Sequence, residues 1–199
     1  KAIFIESIAN PGGVIVDIEA IAKIAKKANI PLIVDNTMAT PYLTRPFDYG
    51  ADLIVHSATK FLGGHGNSIG GLLVDGGKFK WTGDDRYPFL SKPRPEYNGM
   101  VLGETFGDFA FAIAARVLGL RDLGPALSPF NAFMLLTGIE TLPLRMQKHS
   151  DNALAVAKHL ASHSAIEWVS YPGLPNDKFH ALAKKYAPKG AGSVFTIGL

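Results

Sequence analysis

One lysine in this chain sits where covalent chemistry with a carbonyl is possible. The run His56-Ser57-Ala58-Thr59-Lys60-Phe61-Leu62-Gly63-Gly64-His65-Gly66 leaves an apolar stretch and delivers two hydroxyls, a primary amine and then glycines that free the backbone to turn. Hydroxyls donate to a phosphate, and an amine forms an imine with an aldehyde. A phosphorylated aldehyde would satisfy both. Alone, Lys60 reads as a surface lysine; its setting beside Ser57 and Thr59 gives it the second reading.

A second candidate group stands at the end of a neighbouring apolar run. Leu32-Ile33-Val34 ends in Asp35-Asn36-Thr37. An ionised carboxylate at the end of a buried strand needs a partner. A helix cap or an ion pair would supply one, and so would a cationic ring nitrogen, the usual protein-facing atom of a pyridinium cofactor.

Three runs share this design and must position these groups. Ala2 to Ile5 ends in Glu6-Ser7, the second run in Asp35, and Leu53-Ile54-Val55 in His56-Ser57. Short unbroken β-branched runs read as strands buried on both faces, hence parallel. Between the first two, Ile18, Ile21, Ile24, Ala25 and Ala28 form a helical stripe over Asp17 to Asn29 that Pro31 ends. Strand, helix and strand predict a right-handed βαβ unit. Open α/β sheets bind ligands at the carboxyl ends of their strands, where all three runs turn polar.

Beyond these strands the pattern is looser. Ser68 to Val74 reads as a glycine-diluted strand. Residues 76–103 are rich in Gly, Pro and aromatics and are long for a connection, which fits either an active-site flap or a structural loop. Thr105 and Asp108 predict a capping box opening a helix to about Leu118. Ser128-Pro129 predicts the start of another helix, which Pro143 kinks or breaks. A further helix is expected from Ser150, then a strand at 166–169, a helix at 178–186 and a strand at 193–197. The expected domains are 1–143 and 144–199.

Composition removes other chemistries. The 199 residues are 47% hydrophobic and 19% charged, as in a soluble globular protein, and contain no cysteine. Disulfides, thiolate catalysis and cysteine-held metals are thereby excluded. The formal charge of +3 comes from scattered lysines that suit solvated faces rather than a nucleic-acid groove. No run is apolar for the roughly 18 residues of a membrane span, so no membrane partner is expected. No signal-peptide pattern opens the chain, which leads to an expected cytoplasmic location. A buried strand beginning almost at residue 1 suggests a piece of a longer protein. Gly64 to Ile69 fails the dinucleotide pattern, and His56 with His65 lacks a third nearby metal ligand.

Taken together, Glu6-Ser7-x-x-Asn10-Pro11, Val34-Asp35-Asn36-Thr37 and Ser57-Ala58-Thr59-Lys60 with Gly63-Gly64-His65 resemble the pyridoxal-phosphate enzymes of cysteine and methionine metabolism. The resemblance covers the whole chain. It implies an α/β fold of the aspartate-aminotransferase type (fold type I), here an incomplete large domain with a mainly parallel sheet plus the start of a C-terminal α/β domain. It implies pyridoxal 5'-phosphate as cofactor, bound as an imine by Lys60, with Asp35 on the pyridine nitrogen, Ser57 and Thr59 on the phosphate, and Asn10 on the ring oxygen. It also implies a homotetrameric parent, with a glycine-rich phosphate loop upstream and a carboxylate-gripping arginine downstream of these residues.

Within that family, His65 to Gly71, Gly77-Lys78-Phe79-x-Trp81, Arg86 to Phe89 and Gly138 to Met146 look most like the sulfhydrylase branch acting on O-acetylhomoserine. The implied reaction is γ-replacement with sulfide or methanethiol, a transferase activity. Cystathionine γ-synthase or γ-lyase chemistry is the alternative within the family. A non-catalytic α/β domain for a phosphorylated ligand is the alternative from another class.

Overall fold

In the computed structural model, which describes residues 1–199, the three apolar runs become adjacent strands β1 (Ile3–Glu6), β2 (Leu32–Asp35) and β3 (Leu53–Ser57). All are parallel, with Ile5 opposite Val34, Glu6 opposite Asp35, and Asp35 opposite Val55. The fourth strand, β4 (Gly71–Asp75), runs antiparallel against β3, with Ser57 opposite Gly71. The order is β1-β2-β3-β4. Helix α1 (Ile18–Lys27) connects β1 to β2, capped by Asp17, whose Oδ1 accepts from Ala20 N at 3.1 Å. Its chain exit passes through Asn29 at φ +50°, one residue before Ile30-Pro31.

Side chains alternate across a strand, so the sheet has two chemically different faces. Leu32, Val34 and, by register, Ile5 face a large core completed by Ile18 and Ala25 of α1. Leu53 and Ile33 face a smaller core on the other side. The short helix α2 (Thr40–Leu43) follows β2.

The long connection after β4 supplies the smaller core. Trp81, Leu90, Leu102, Ala110 and Ala114 are buried against Leu53, and the Trp81 and Phe111 rings stack 4.9 Å apart. Trp81, Leu90 and Leu102 thus anchor this connection on the sheet face, while most of residues 92–100 stay exposed. Residues 76–103 contain α3 (Pro88–Ser91) and lead into α4 (Leu102–Phe106) and α5 (Ala110–Ala114). The capping box expected at Thr105 does not form. The helix has already begun at Leu102, the Thr105 hydroxyl donates to Val101 O at 2.9 Å, and Gly107 at φ +53° then interrupts the helical path.

Helix α6 (Pro129–Glu140) starts at the expected proline, although Ser128 makes no side-chain cap bond. Pro143 does mark a break: α6 ends at Glu140 and α7 (Leu142–Ala161) takes Pro143 into its first turn, where no N–H is required. Helix α7 thus starts well before Ser150, and Met146, Ala153 and Ala157 lie in the large core. Strand β5 (Trp168–Ser170), helix α8 (His180–Tyr186) and strand β6 (Thr196–Gly198) follow, the two strands forming an antiparallel pair. Tyr171, Ala183 and Tyr186 join the same core. The Tyr186 hydroxyl donates to Asp17, and Lys185 Nζ lies 2.6 Å from Glu19, tying α8 to the start of α1. No helix is long and apolar enough to cross a membrane.

Candidate active site

The parallel register brings the strand ends together and sorts them by face. Glu6, Asp35 and, two residues beyond Val55, Ser57 fall on the smaller-core face. Ser7, Asn36 and His56 fall on the other, where they are almost fully buried. The buried set is hydrogen-bonded across strands: Ser7 Oγ donates to Asn36 Oδ1 at 2.7 Å, and Asn36 Nδ2 donates to Thr44 O at 3.0 Å. His56 Nδ1 is buried with no partner. Burial pushes the His56 pKa below its ordinary value, while the nearby Asp35 charge pulls the other way.

The outer set is left more open. Asp35 accepts from Thr37 N at 2.9 Å through Oδ1, and Thr37 Oγ1 accepts from Ser57 N at 2.8 Å. Thr37 therefore links the carboxylate of one strand to the backbone of the next. Asp35 Oδ2 and the Ser57 hydroxyl make no hydrogen bond within the chain. Just beyond, buried Thr40 holds φ +60°, an uncommon backbone for a β-branched residue.

Lys60 follows in the turn Ala58–Leu62, where its own φ of −88° and ψ of −123° depart from helical values. Its side chain is exposed and forms no ion pair. Gly64 N donates to Lys60 O at 2.8 Å and Gly63 N to Ala58 O at 2.9 Å, so the glycines close the turn. Gly64 and Gly66 have φ of +75° and +65°, and open space surrounds Gly66. Thr59 Oγ1 donates to Gly70 O at 3.2 Å and accepts from Gly70 N at 3.1 Å, so this hydroxyl is already engaged by backbone.

Asp35, Ser57, Thr59 and Lys60 thus gather at the ends of two adjacent strands. Asn10 stands apart in the loop after β1; its backbone N donates to Glu6 Oε2 at 3.0 Å, and its side chain bonds to none of the others. Sequence reasoning left out Thr37, the buried Ser7–Asn36–His56 layer and Arg145. Period-two alternation from Asp35 and Ser57 marks the first two groups. Arg145 has no local signal, since its partners Phe61 and Leu62 lie 84 and 83 residues away.

A phosphorylated pyridine aldehyde fits the donor set that the structure leaves unengaged: an amine, one carboxylate oxygen, one hydroxyl and a glycine turn with open space. An exposed lysine just beyond a strand end, beside these groups, could take up such an aldehyde covalently. The comparisons agree: the chain belongs to the Cys/Met metabolism PLP-dependent enzyme family, whose model matches residues 1–199. It is 52% identical over 198 residues to an O-acetyl-L-homoserine sulfhydrylase of Leptospira meyeri, covering 96% of this chain and 45% of that protein. It is 51% identical over 200 residues to a homocysteine synthase of Schizosaccharomyces pombe, covering 100% of this chain and 47% of that protein. A solved Campylobacter jejuni chain that carries N'-pyridoxyl-lysine-5'-monophosphate superposes with a TM-score of 0.95 at 44% identity, covering 99% of this chain and 49% of its own. The α/β fold with a mainly parallel sheet is therefore that of this family, and the chain spans less than half the length of these relatives.

Proposed function

We propose that the full-length protein containing this chain replaces the γ-acetoxy group of O-acetyl-L-homoserine with sulfide or methanethiol. Acetate leaves as the Cγ–O bond breaks, and homocysteine or methionine forms as the Cγ–S bond closes. The observation that carries the reading is that Lys60 lies in the turn directly after β3, whose end carries an unengaged Ser57 hydroxyl, beside the parallel strand β2 that ends in Asp35 with one free carboxylate oxygen. Relatives named for this activity at about half identity support the choice of substrate.

When bound, pyridoxal phosphate would supply an aldehyde carbon and an electron sink for charge at the substrate's α and β carbons. Lys60 would hold the cofactor, and its amine could move protons at those carbons. Asp35 keeps the ring nitrogen protonated through its free oxygen, while Thr37 N fixes the other oxygen. Ser57 holds the phosphate. Thr59 joins it by turning its hydroxyl hydrogen away from Gly70 O, or steadies the turn as it stands. Asn10, in the loop that Glu6 anchors, would be the residue to hydrogen-bond the ring oxygen.

In this reading residues 1–143 belong to the cofactor-binding domain and 144–199 begin a second one. The full-length protein is a cytoplasmic homotetramer with small-molecule substrates. Assaying it with acetyl- or succinyl-homoserine, each with sulfide or cysteine, tests the proposal. Acetyl-homoserine with sulfide should be fastest; a preference for succinyl-homoserine with cysteine would reassign it to cystathionine synthesis.

A further inference from the structure

The turn that carries Lys60 is held from outside by a group the reaction scheme does not use. The Arg145 guanidinium, in the first turns of α7, donates from Nη1 to Phe61 O at 2.8 Å and from Nη2 to Leu62 O at 3.3 Å. Nη2 also donates to Gly138 O at 2.6 Å, and Nε donates to Thr141 Oγ1 at 3.0 Å. No carboxylate pairs with it. An arginine set on three carbonyls in this way fixes backbone geometry, because its planar fork allows little freedom once engaged.

The surrounding residues leave room for this contact alone. A Cβ on Gly138 would stand 2.0 Å from Gly63 O, and one on Gly64 would stand 2.5 Å from Arg145 Nη1. A Cβ on Gly63 would meet Leu135 Cδ2 at 2.7 Å. The Phe61 ring packs edge-on against His149 with centroids 5.5 Å apart. The α6–α7 elbow therefore presses directly on the residues after Lys60, whose own non-helical φ and ψ need such support.

We propose that Arg145 is a positioning residue for Lys60: by fixing the Phe61 and Leu62 carbonyls it sets the direction in which the amine leaves the turn. The proposal rests on the reading of Lys60 as the cofactor lysine. A misplacement of about 1 Å can cost about 10²-fold in a reaction that depends on alignment.

The test follows covalent capture of pyridoxal phosphate by the full-length apoenzyme, quenched with borohydride at increasing times and mapped by peptide mass. Wild-type label on a lysine other than Lys60 defeats the underlying reading, independently of Arg145. With wild-type label on Lys60, Arg145→Ala should capture about 10²-fold more slowly and lower kcat with KM nearly unchanged. Added guanidinium ion should restore part of the rate, which a general loss of structure would not allow. Arg145→Lys retains charge and stem but lacks the fork, and serves as the deciding variant if Arg145→Ala does not fold; it too should be slow. Capture at the wild-type rate in whichever of these variants folds overturns the proposal.

Discussion

Two connections leave the sheet at β3 and β4, and both read as irregular in the sequence, yet they are built for different ends. The one after β3, residues 58–70, is short, glycine-rich and held by backbone and guanidinium hydrogen bonds. The one after β4 is long and held by aromatic packing around Trp81. Hydrogen bonds to a turn fix direction, whereas ring packing fixes a layer without fixing any one polar atom. The first is suited to aim a reactive side chain and the second to cover a sheet face. Substitutions in the two should consequently fail in different ways.

The sharpest break is at the polar end. Asp35→Ala in the full-length holoenzyme should reduce turnover by about 10³-fold or more while pyridoxal phosphate content falls far less. Equilibrium dialysis beside steady-state rates would show the split, and near-normal turnover would refute the role given to the carboxylate. Trp81→Ala should do the reverse, costing about 3–5 kcal/mol in urea unfolding, as for a large aromatic removed from a core. Where enough protein remains folded, its capture of the cofactor should stay close to wild type.

Gly138→Ala lies between these cases. The added methyl meets Gly63 O, so the elbow must shift at a cost of about 1–3 kcal/mol, and the Lys60 turn should be disturbed with it. Unfolding curves and cofactor capture measured on one preparation would register both effects. The smallest effect concerns His56. Its folded pKa lies below the unfolded value near 6.5, so the unfolded chain binds the proton first as pH falls. Keeping the buried histidine neutral therefore carries no proton-linked penalty above that pH, and stability declines below it toward the folded value. His56→Gln should flatten that decline in urea midpoints measured across the range.

How far the sequence disclosed this arrangement depends on the range of each interaction. Strands β1 to β3, α1 and the grouping of Asp35, Ser57, Thr59 and Lys60 follow from local hydrophobic runs and their polar ends. The aromatic layer stayed ambiguous because composition gives ring content and not the sheet face that the rings cover. Thr105 misled for a related reason: Leu102, buried in that layer, starts the helix earlier than local capping chemistry would. Arg145 meets Phe61 and Leu62 from 84 and 83 residues away, and Thr59 meets Gly70 across an irregular glycine-rich turn, so neither contact falls within any periodicity.

One measurement bears on everything that the site is said to do. Borohydride reduction of the full-length holoenzyme, followed by proteolysis and peptide sequencing by mass, should place the phosphopyridoxyl group on the peptide containing Ser57 to Lys60, at Lys60 itself. Finding it on any other lysine, or finding none attached to a fully active enzyme, would contradict the account.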